Sequence, residues 1–523
     1  MSSALKPLPN DIIELQKVVR DQDVLIEKSK ARIAILEEII RAEKQKQFGI
    51  SSEKHPGQAE LFNEAEVFSE ENNLIEVEQV DEERGISADT TVDANNNLKP
   101  GRKPLPKDLP RIQERIYLTD IEKAGALRTF FVFAKEELDI VPAQVRVIEY
   151  YQEKAVFPDE ITPAIKTATL PKHPIPRAIG SVGLMSYLII GKYADGLPLY
   201  RLEKILNRYG ANVSRATLAN WMIRLSQQLQ PIINLLRDCL LAGPVINADE
   251  TPLLVLKETD KAPSSKSYMW VQVGGNKTQA IVLFDYDASR SKQVPLRLFE
   301  GYQGYLQADG YAAYDSVCQK QNITQLGCWD HVRRKFVEAK KAQPKQKGKR
   351  AKISKADMAI SLIQKLYLTE KQVKDTDVSH IHEQRQQQSL PILEKLKTWM
   401  EKSIPLVPKD SLTGKALQYM NNQWPKLVTY CDDGQLNISN CRAENAIRPF
   451  VIGRKAWLFA DTPNGAHASA ALYSLIETAK ANKVEPYHYF RHVLENIMSA
   501  QKVEDFEALL PWNTNTESVL RLI

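Results

Sequence analysis

The alternation of apolar and polar residues divides the chain into segments with different periods. Over residues 11–48 the apolar positions recur by sevens, at Ile12, Val19, Ile26, Ile33 and Ile40. Leu15 and Leu36 occupy two of the intervening d positions, and Gln22 and Ser29 the other two. β-Branched residues at a with Leu at d favour a two-stranded parallel coiled coil, which the two polar positions weaken. With a charged opposite face, residues 1–50 read as a dimerisation stem; a helix packed on the chain's own core is the alternative. Periodicity is then lost. Residues 51–98 are acidic and Asn-rich and read as a flexible linker. "KPGRKPLPKDLPR", 99–111, is basic and punctuated by proline, so it is expected to be an extended arm. An arm of this kind can place Arg102 and Lys103 in a minor groove.

Residues 112–165 read as a small mixed domain, with strand-like alternation in "AQVRVIEYYQEKAVF". Residues 166–240 are helical. Within "PLYRLEKILNRYGANVSRATLANWMIRLSQQL" one amphipathic helix runs to about Tyr209, Gly210 breaks it, and Ser214 can cap a second. That spacing predicts a helix-turn-helix offering Arg215, Thr217, Asn220 and Arg224 to DNA, or else a plain helical hairpin. From 244 the period shortens to that of strands: "PVINA", "PLLVL", "SYMWVQVG", "AIVLFDYD" and "GYLQAD", with a helix at 291–302 before the last. Strands first, then a helix crossing to another strand, predict a mixed α/β sheet over residues 241–480. Residues 345–435 read as a helical insertion, and 481–523 as a helical tail.

Charge sharpens the picture. The net charge is only +5, yet residues 58–93 are crowded with acids and residues 333–355 with bases. Such asymmetry points to a nucleic-acid partner, with a solvated helix face and loop as the plainer explanation. Five scattered cysteines argue against a disulfide framework and for a reducing cytosol. The N-terminus lacks the pattern of a secretion signal, and no apolar run is long enough for a bilayer. A cytoplasmic protein without a membrane partner is expected.

Three acids stand out by position. Asp249 is read as ending the first strand, Asp309 as ending "GYLQAD", and Glu444 as lying in the first turns of the helix "NCRAENAIRPF". Phosphodiester chemistry by two metals needs hard oxygen ligands converging from different elements. Taken singly, each acid fits a turn or surface position better than a ligand's; the argument lies in the set. Glu250, next to Asp249, is expected to orient the turn or a water rather than to ligate. Arg333 and Arg334, and Arg442, Arg448, Arg454 and Lys455 around the glutamate helix, would offset the repulsion between the acids and DNA. For Arg448 an i,i+4 pair with Glu444 is the alternative.

"NADET", "LQADGYAAY", "GCWDHVRRKF" and "AENAIRPFVIGRK", in that order, resemble the transposases of the insertion sequence 66 family. So do "FGISSEK", "GRKPLPKDLPR", "KYADGLPLYRLEKILNRYGANVSRATLANW", "YSLIETAKANKVEPYHYF" and the terminal "LLPW". The resemblance spans nearly the whole chain. It implies a DDE transposase with an RNase H-like catalytic core. It also implies Asp249, Asp309 and Glu444 as ligands of two Mg²⁺ ions (or Mn²⁺), and double-stranded inverted-repeat ends and target DNA as partners. A homodimer or higher oligomer, accessory proteins of the same element and association with the bacterial nucleoid go with that reading. "CWDH" places Cys328 three residues before His331, which could touch the scissile phosphate or donor-end DNA; alone the pair is half a zinc site at most, and a structural role at the end of a strand is the alternative. The family's paired cysteines before the helix-turn-helix are missing here, so residues 112–165 correspond to a zinc ribbon without its ligands and no zinc is expected. Ser439, Asn440, Cys441 and Ala456 also depart from the family pattern. A structure-selective nuclease on the same fold, or a DNA-binding regulator with an inactive core, are the competing functions.

Overall fold

A computed structural model describes residues 11–48, much of 111–157, and 164–514 apart from 277 and 344–352. The arm residues Arg102 and Lys103, the acidic linker and the last nine residues lie outside the described residues. The chain separates into two units, residues 74–148 and the remainder. In the smaller unit the described side chains are mostly exposed, and the Arg115 guanidinium lies 5.3 Å from the centre of the Phe131 ring.

The larger unit begins with α1 (Ile12–Phe48), a single 37-residue helix. Its heptad residues Ile12, Val19, Ile26, Ile33 and Ile40 are all exposed. A different stripe packs on the chain itself: Ile35 is buried, Arg41 Nε donates to Ala342 O at 3.1 Å, and Glu38 accepts from Leu412 N at 3.3 Å. Packing on the chain's own core thus involves one face of this helix and leaves the heptad face exposed. A two-stranded antiparallel ribbon follows, β1 (Lys154–Phe157) and β2 (Ala164–Thr167). The strand expected from residue 143 onward starts only at Lys154.

Four helices come next: α2 (Val182–Tyr193), α3 (Leu199–Arg208), α4 (Arg215–Gln228) and α5 (Gln230–Leu241). Gly210 turns the chain between α3 and α4 at φ +84°, where a side chain would be strained. Ser214 caps α4 by accepting from Thr217 N at 3.3 Å.

The sheet has five strands in the order β5-β4-β3-β6-β7. They are β3 (Val245–Leu254), β4 (Lys266–Gly275), β5 (Ala280–Asp287), β6 (Tyr305–Gln307) and β7 (Thr324–Leu326). β3, β4 and β5 form an antiparallel meander, and β6 and β7 add parallel to β3, giving a mixed α/β domain. Between the strands lie α6 (Gln293–Leu298), shorter than the helix expected over 291–302, and α7 (Ala312–Gln321). One expectation is corrected here. "PVINA" and "PLLVL" are one ten-residue strand, so Asp249 lies mid-strand rather than between two strands. Pairing with β4 runs unbroken across Asp249 and Glu250, opposite Val271 and Trp270. The two acids do not break the ladder because a strand's hydrogen bonds are made by its backbone.

After β7 come α8 (Trp329–Ala342) and a helical insertion: α9 (Lys355–Val373), α10 (Val378–Gln384), a π-helical turn (Arg385–Ser389), α11 (Leu390–Ser403) and α12 (Leu412–Val428). These helices share a core of their own around Trp329, Phe336, Leu366, Leu396 and Met420. At its edge Arg385, 2% exposed, forks onto both oxygens of Glu370 at 2.9 and 2.6 Å and donates to the carbonyls of Tyr430 and Asp433.

The chain returns to the sheet with α13 (Cys441–Trp457), α14 (Pro463–Ala481), α15 (Pro486–Asn496) and the short α16 (Val503–Glu507). α14 seals the free edge of β5. Ser474, Thr478 and Asn482, four residues apart on one helix face, bond the backbone of Phe284, Val282 and Ala280. An open edge would otherwise leave those groups unpaired and available to another chain.

Candidate functional site

The site lies where β6 stops and β3 runs on. β6 pairs with β3 only from Val245 to Asn247; farther along, Ala460 joins the same strand by exchanging hydrogen bonds with Leu254 and Leu256. Between these contacts the strand carries Asp249. Asp309 follows the end of β6 by two residues and forms a turn, its Oδ1 accepting from Tyr311 N at 2.9 Å. The turn is tight: a Cβ on Gly310 would meet Tyr419 Oη at 2.9 Å. Glu444 stands in the first turn of α13, which packs across β3 and β4.

A buried chain of amides binds these three elements together. Asn247 Nδ2 donates to Gln307 Oε1 at 2.8 Å and to Asn440 Oδ1 at 3.2 Å. Asn440 Nδ2 donates to Ala248 O at 2.8 Å, and Gln307 Nε2 to Asn437 O at 2.7 Å. Asn247 and Gln307 each precede an aspartate by two residues; Asn440 precedes Glu444 by four, and its carbonyl accepts from Glu444 N at 3.2 Å. All three amides are at least 99% buried. They fix the spacing of the acid-bearing elements without lending charge. Sequence reasoning did not single them out as a set, though a signal was present: both strands read amide-Ala-Asp, in "NAD" and "QAD".

The acids feel one another. Burial pushes Asp249 up to about 8, with Glu250, Glu444 and Asp309 adding repulsion. Burial raises Glu444 to about 7; Arg334 counters this, while Asp330 and Asp309 reinforce it. Glu444 is 5% exposed, and neither carboxylate oxygen accepts a hydrogen bond from the described residues. Arg334 Nη2 stands 3.9 Å from Oε2, and His331 Nδ1 3.7 Å from Oε1. Burial and the neighbouring Arg334 lower His331 to about 4, so its imidazole is neutral at pH 7. A buried carboxylate with both oxygens unbonded fits a cation, since uncompensated burial of a charge is costly. The donor set of Asp249, Asp309 and Glu444 consists of hard oxygens, which suits Mg²⁺ or Mn²⁺.

Glu250 is occupied otherwise. Its side chain is 2% exposed, bonded by Arg290 Nε at 2.9 Å and Nη2 at 2.5 Å and by Tyr314 Oη at 2.7 Å. Arg290 in turn stacks 4.0 Å from the centre of the Tyr311 ring, next to the Asp309 turn. Glu250 thus ties the middle of β3 to the loop before α6 and to α7.

The basic residues divide by what they touch. Arg333 and Arg334 are half-buried on α8. Arg442 reaches the carbonyls of Gly274 and Gly275 at the end of β4, at 3.3 and 3.5 Å. Arg448 donates to Asn445 at 2.8 Å, and its charge also acts on Glu444. Arg454 donates to Thr251 Oγ1 at 3.1 Å, and Lys455 is exposed. On α4, Arg215, Asn220 and Arg224 are exposed, whereas Thr217 Oγ1 is 3.0 Å from Ser214 Oγ within the cap. The buried side of α4 (Leu218, Trp221, Met222 and Leu225) belongs to the main core, where α4 packs on α14. Among the described residues no helix is long and apolar enough to cross a membrane.

Residues 177–468 match the family described as "Transposase IS66 family", and residues 474–512 match its "IS66 C-terminal element". Residues 35–113 match "Transposase C of IS166 homeodomain". An uncharacterized protein of Sinorhizobium fredii, y4qI, is 30% identical over 440 residues, covering 80% of each chain. A second from the same organism, y4jD, is 28% identical over 434 residues, 79% of this chain and 82% of the relative. With the first match spanning the helices, the sheet, the insertion and all three acids, the chain belongs to the IS66 transposase family.

Proposed function

We propose that this protein is a DDE transposase whose sheet is an RNase H-like core, with Asp249, Asp309 and Glu444 as its metal ligands. The observation that carries the reading is the convergence of three mutually repelling, half-buried or buried acids from β3, the end of β6 and α13 on one amide-linked frame. The strand order β5-β4-β3-β6-β7, with three antiparallel and then two parallel additions, supports the fold assignment. When bound, a pair of Mg²⁺ or Mn²⁺ ions activates the attacking oxygen and stabilises the leaving one. The protein's own part is to hold three carboxylates at fixed spacing and to balance them with Arg334 and Arg448. Arg454 and Lys455 extend positive charge along α13 toward a DNA backbone. Neutral His331, beside Glu444, can hydrogen-bond the scissile phosphate.

The exposed Arg215, Asn220 and Arg224 of α4, with the arm residues Arg102 and Lys103, would bind the terminal inverted repeats of the element. Water would hydrolyse each 3′ end, its oxygen bonding to phosphorus as the bridging oxygen leaves. The freed 3′-hydroxyl would then attack target DNA in line. The exposed heptad stripe of α1 would pair two copies.

The test uses DNA from both flanks of the protein's own gene, purified protein, and Mg²⁺ or Mn²⁺. Metal-dependent nicking at the repeat ends, lost in Asp249→Asn with end binding kept, is the expected result. Strong residual cleavage in that variant would refute the assignment.

A further inference from the structure

The "CWDH" stretch supplies a sulfur and a nitrogen donor, and the fold brings up a third donor that sequence spacing could not show. Cys328 caps α8, His331 lies in its first turn, and Glu444 reaches them from α13. Cys328 Sγ, a His331 ring nitrogen and a Glu444 oxygen all lie within 4.8 Å of one another, and His331 Nδ1 is 3.7 Å from Glu444 Oε1. That separation is close to the edge of a tetrahedron with metal–ligand bonds of about 2.0–2.3 Å. Among the described residues the buried His331 Nδ1 has no hydrogen-bond partner, and neither do the two Glu444 oxygens. Cys328 is 3% exposed and burial pushes its thiol well above the usual range, so its proton leaves only as a metal binds; Asn440 N donates to its Sγ at 3.2 Å.

We propose that Cys328, His331 and Glu444 form a zinc site with mixed sulfur, nitrogen and oxygen donors, and that zinc there withdraws Glu444 from the magnesium pair. Thiolate and imidazole are poor ligands for Mg²⁺ and good ones for Zn²⁺, so donor chemistry separates the two ions. Binding releases the thiol proton to solvent, and Cys⁻, neutral His and Glu⁻ balance the dication. A fourth position stays open for water, as in sites with three protein ligands. The existence of the site is independent of the transposase mechanism; its inhibitory effect rests on it.

The experiment is a titration of the metal-free, full-length protein with Co²⁺ alone, followed by displacement with Zn²⁺. A thiolate-to-cobalt charge-transfer band in the near ultraviolet, with tetrahedral visible bands saturating at one ion per chain, is expected. Cys328→Ser should abolish the charge-transfer band, and Cys441→Ser and Cys239→Ser should keep it. Glu444→Gln and His331→Asn should each weaken binding by about tenfold or more, at least the loss that removing a ligand's hydrogen-bond partner brings. Asp249→Asn should leave the spectrum unchanged. Absence of the band in the wild type, or its survival in Cys328→Ser, would overturn the proposal. If Asp249→Asn keeps nicking DNA while the cobalt spectrum is as expected, the DDE reading fails and the zinc site stands. For inhibition, Zn²⁺ at one equivalent should cut the wild-type nicking rate at least about tenfold; an unchanged rate would overturn that part.

Discussion

Replacing Asp249 with Asn should make the metal-free protein more stable. In the folded chain this carboxyl is pushed from its ordinary 3.8 to about 8, chiefly by burial and then by Glu250. Below pH 4 both folded and unfolded chains hold the proton, and the group costs nothing. Between pH 4 and 8 the unfolded chain gives up the proton while the folded chain keeps it, so stability drains as pH rises. At about 1.4 kcal/mol for each pH unit, the full rise sets a ceiling of roughly 5–6 kcal/mol above pH 8. Relaxation around the ionised group and entry of water reduce this, to about 2–4 kcal/mol. Asn keeps the acceptor that takes the Glu250 N–H at 2.8 Å and carries no charge at any pH. The assay is urea unfolding of both proteins in EDTA at pH 4.5 and pH 8.5. The variant should exceed the wild type by no more than about 1 kcal/mol at the lower pH and by about 2–4 kcal/mol at the higher. Millimolar Mg²⁺ should close the gap by stabilising only the wild type. A gap that does not change with pH, or a variant less stable at pH 8.5, would show that the acids are not held in electrostatic conflict.

Asn440→Ala should cost about 2–4 kcal/mol, because it removes the buried hydrogen bonds to Asn247 Nδ2 and Ala248 O; a urea midpoint within error of wild type would contradict the amide frame. Thr478→Val keeps the shape of the side chain but strands the backbone of Val282, so about 1–3 kcal/mol of stability and some resistance to aggregation should be lost, read by unfolding and light scattering. Arg385→Ala leaves the half-buried Glu370 without its guanidinium partner and takes a donor from the carbonyls of Tyr430 and Asp433, so it should cost about 3–5 kcal/mol, with hydrogen exchange rising first around residues 378–389. Arg290→Ala should loosen β3 from the Asp309 turn, and Mn²⁺ affinity measured by calorimetry should fall about tenfold or more although Arg290 is no ligand.

Local patterns carried much of this protein. The seven-residue spacing of Ile12 to Ile40 specifies a long helix, since a period close to 3.5 can be satisfied only that way. Gly210 and Ser214 mark the turn and cap between α3 and α4, because positive φ and side-chain capping are properties of single residues. The family, and three acids worth examining, were legible as short motifs in order. Other features depended on contacts between distant segments. That Asp249 lies mid-strand follows from pairing with residues twenty positions away, which an apolar–acidic–apolar run cannot reveal. Which face of α1 packs on its own chain depends on where Ala342 and Leu412 fall. Glu250 and Asp249 are neighbours with opposite fates, because alternation along a strand sends them to different surroundings. The amide frame and the Cys328–His331–Glu444 cluster join segments more than a hundred residues apart. Residue type and spacing fix what a segment can do alone; only the tertiary fold sets which buried polar groups meet and how far their charges are pushed.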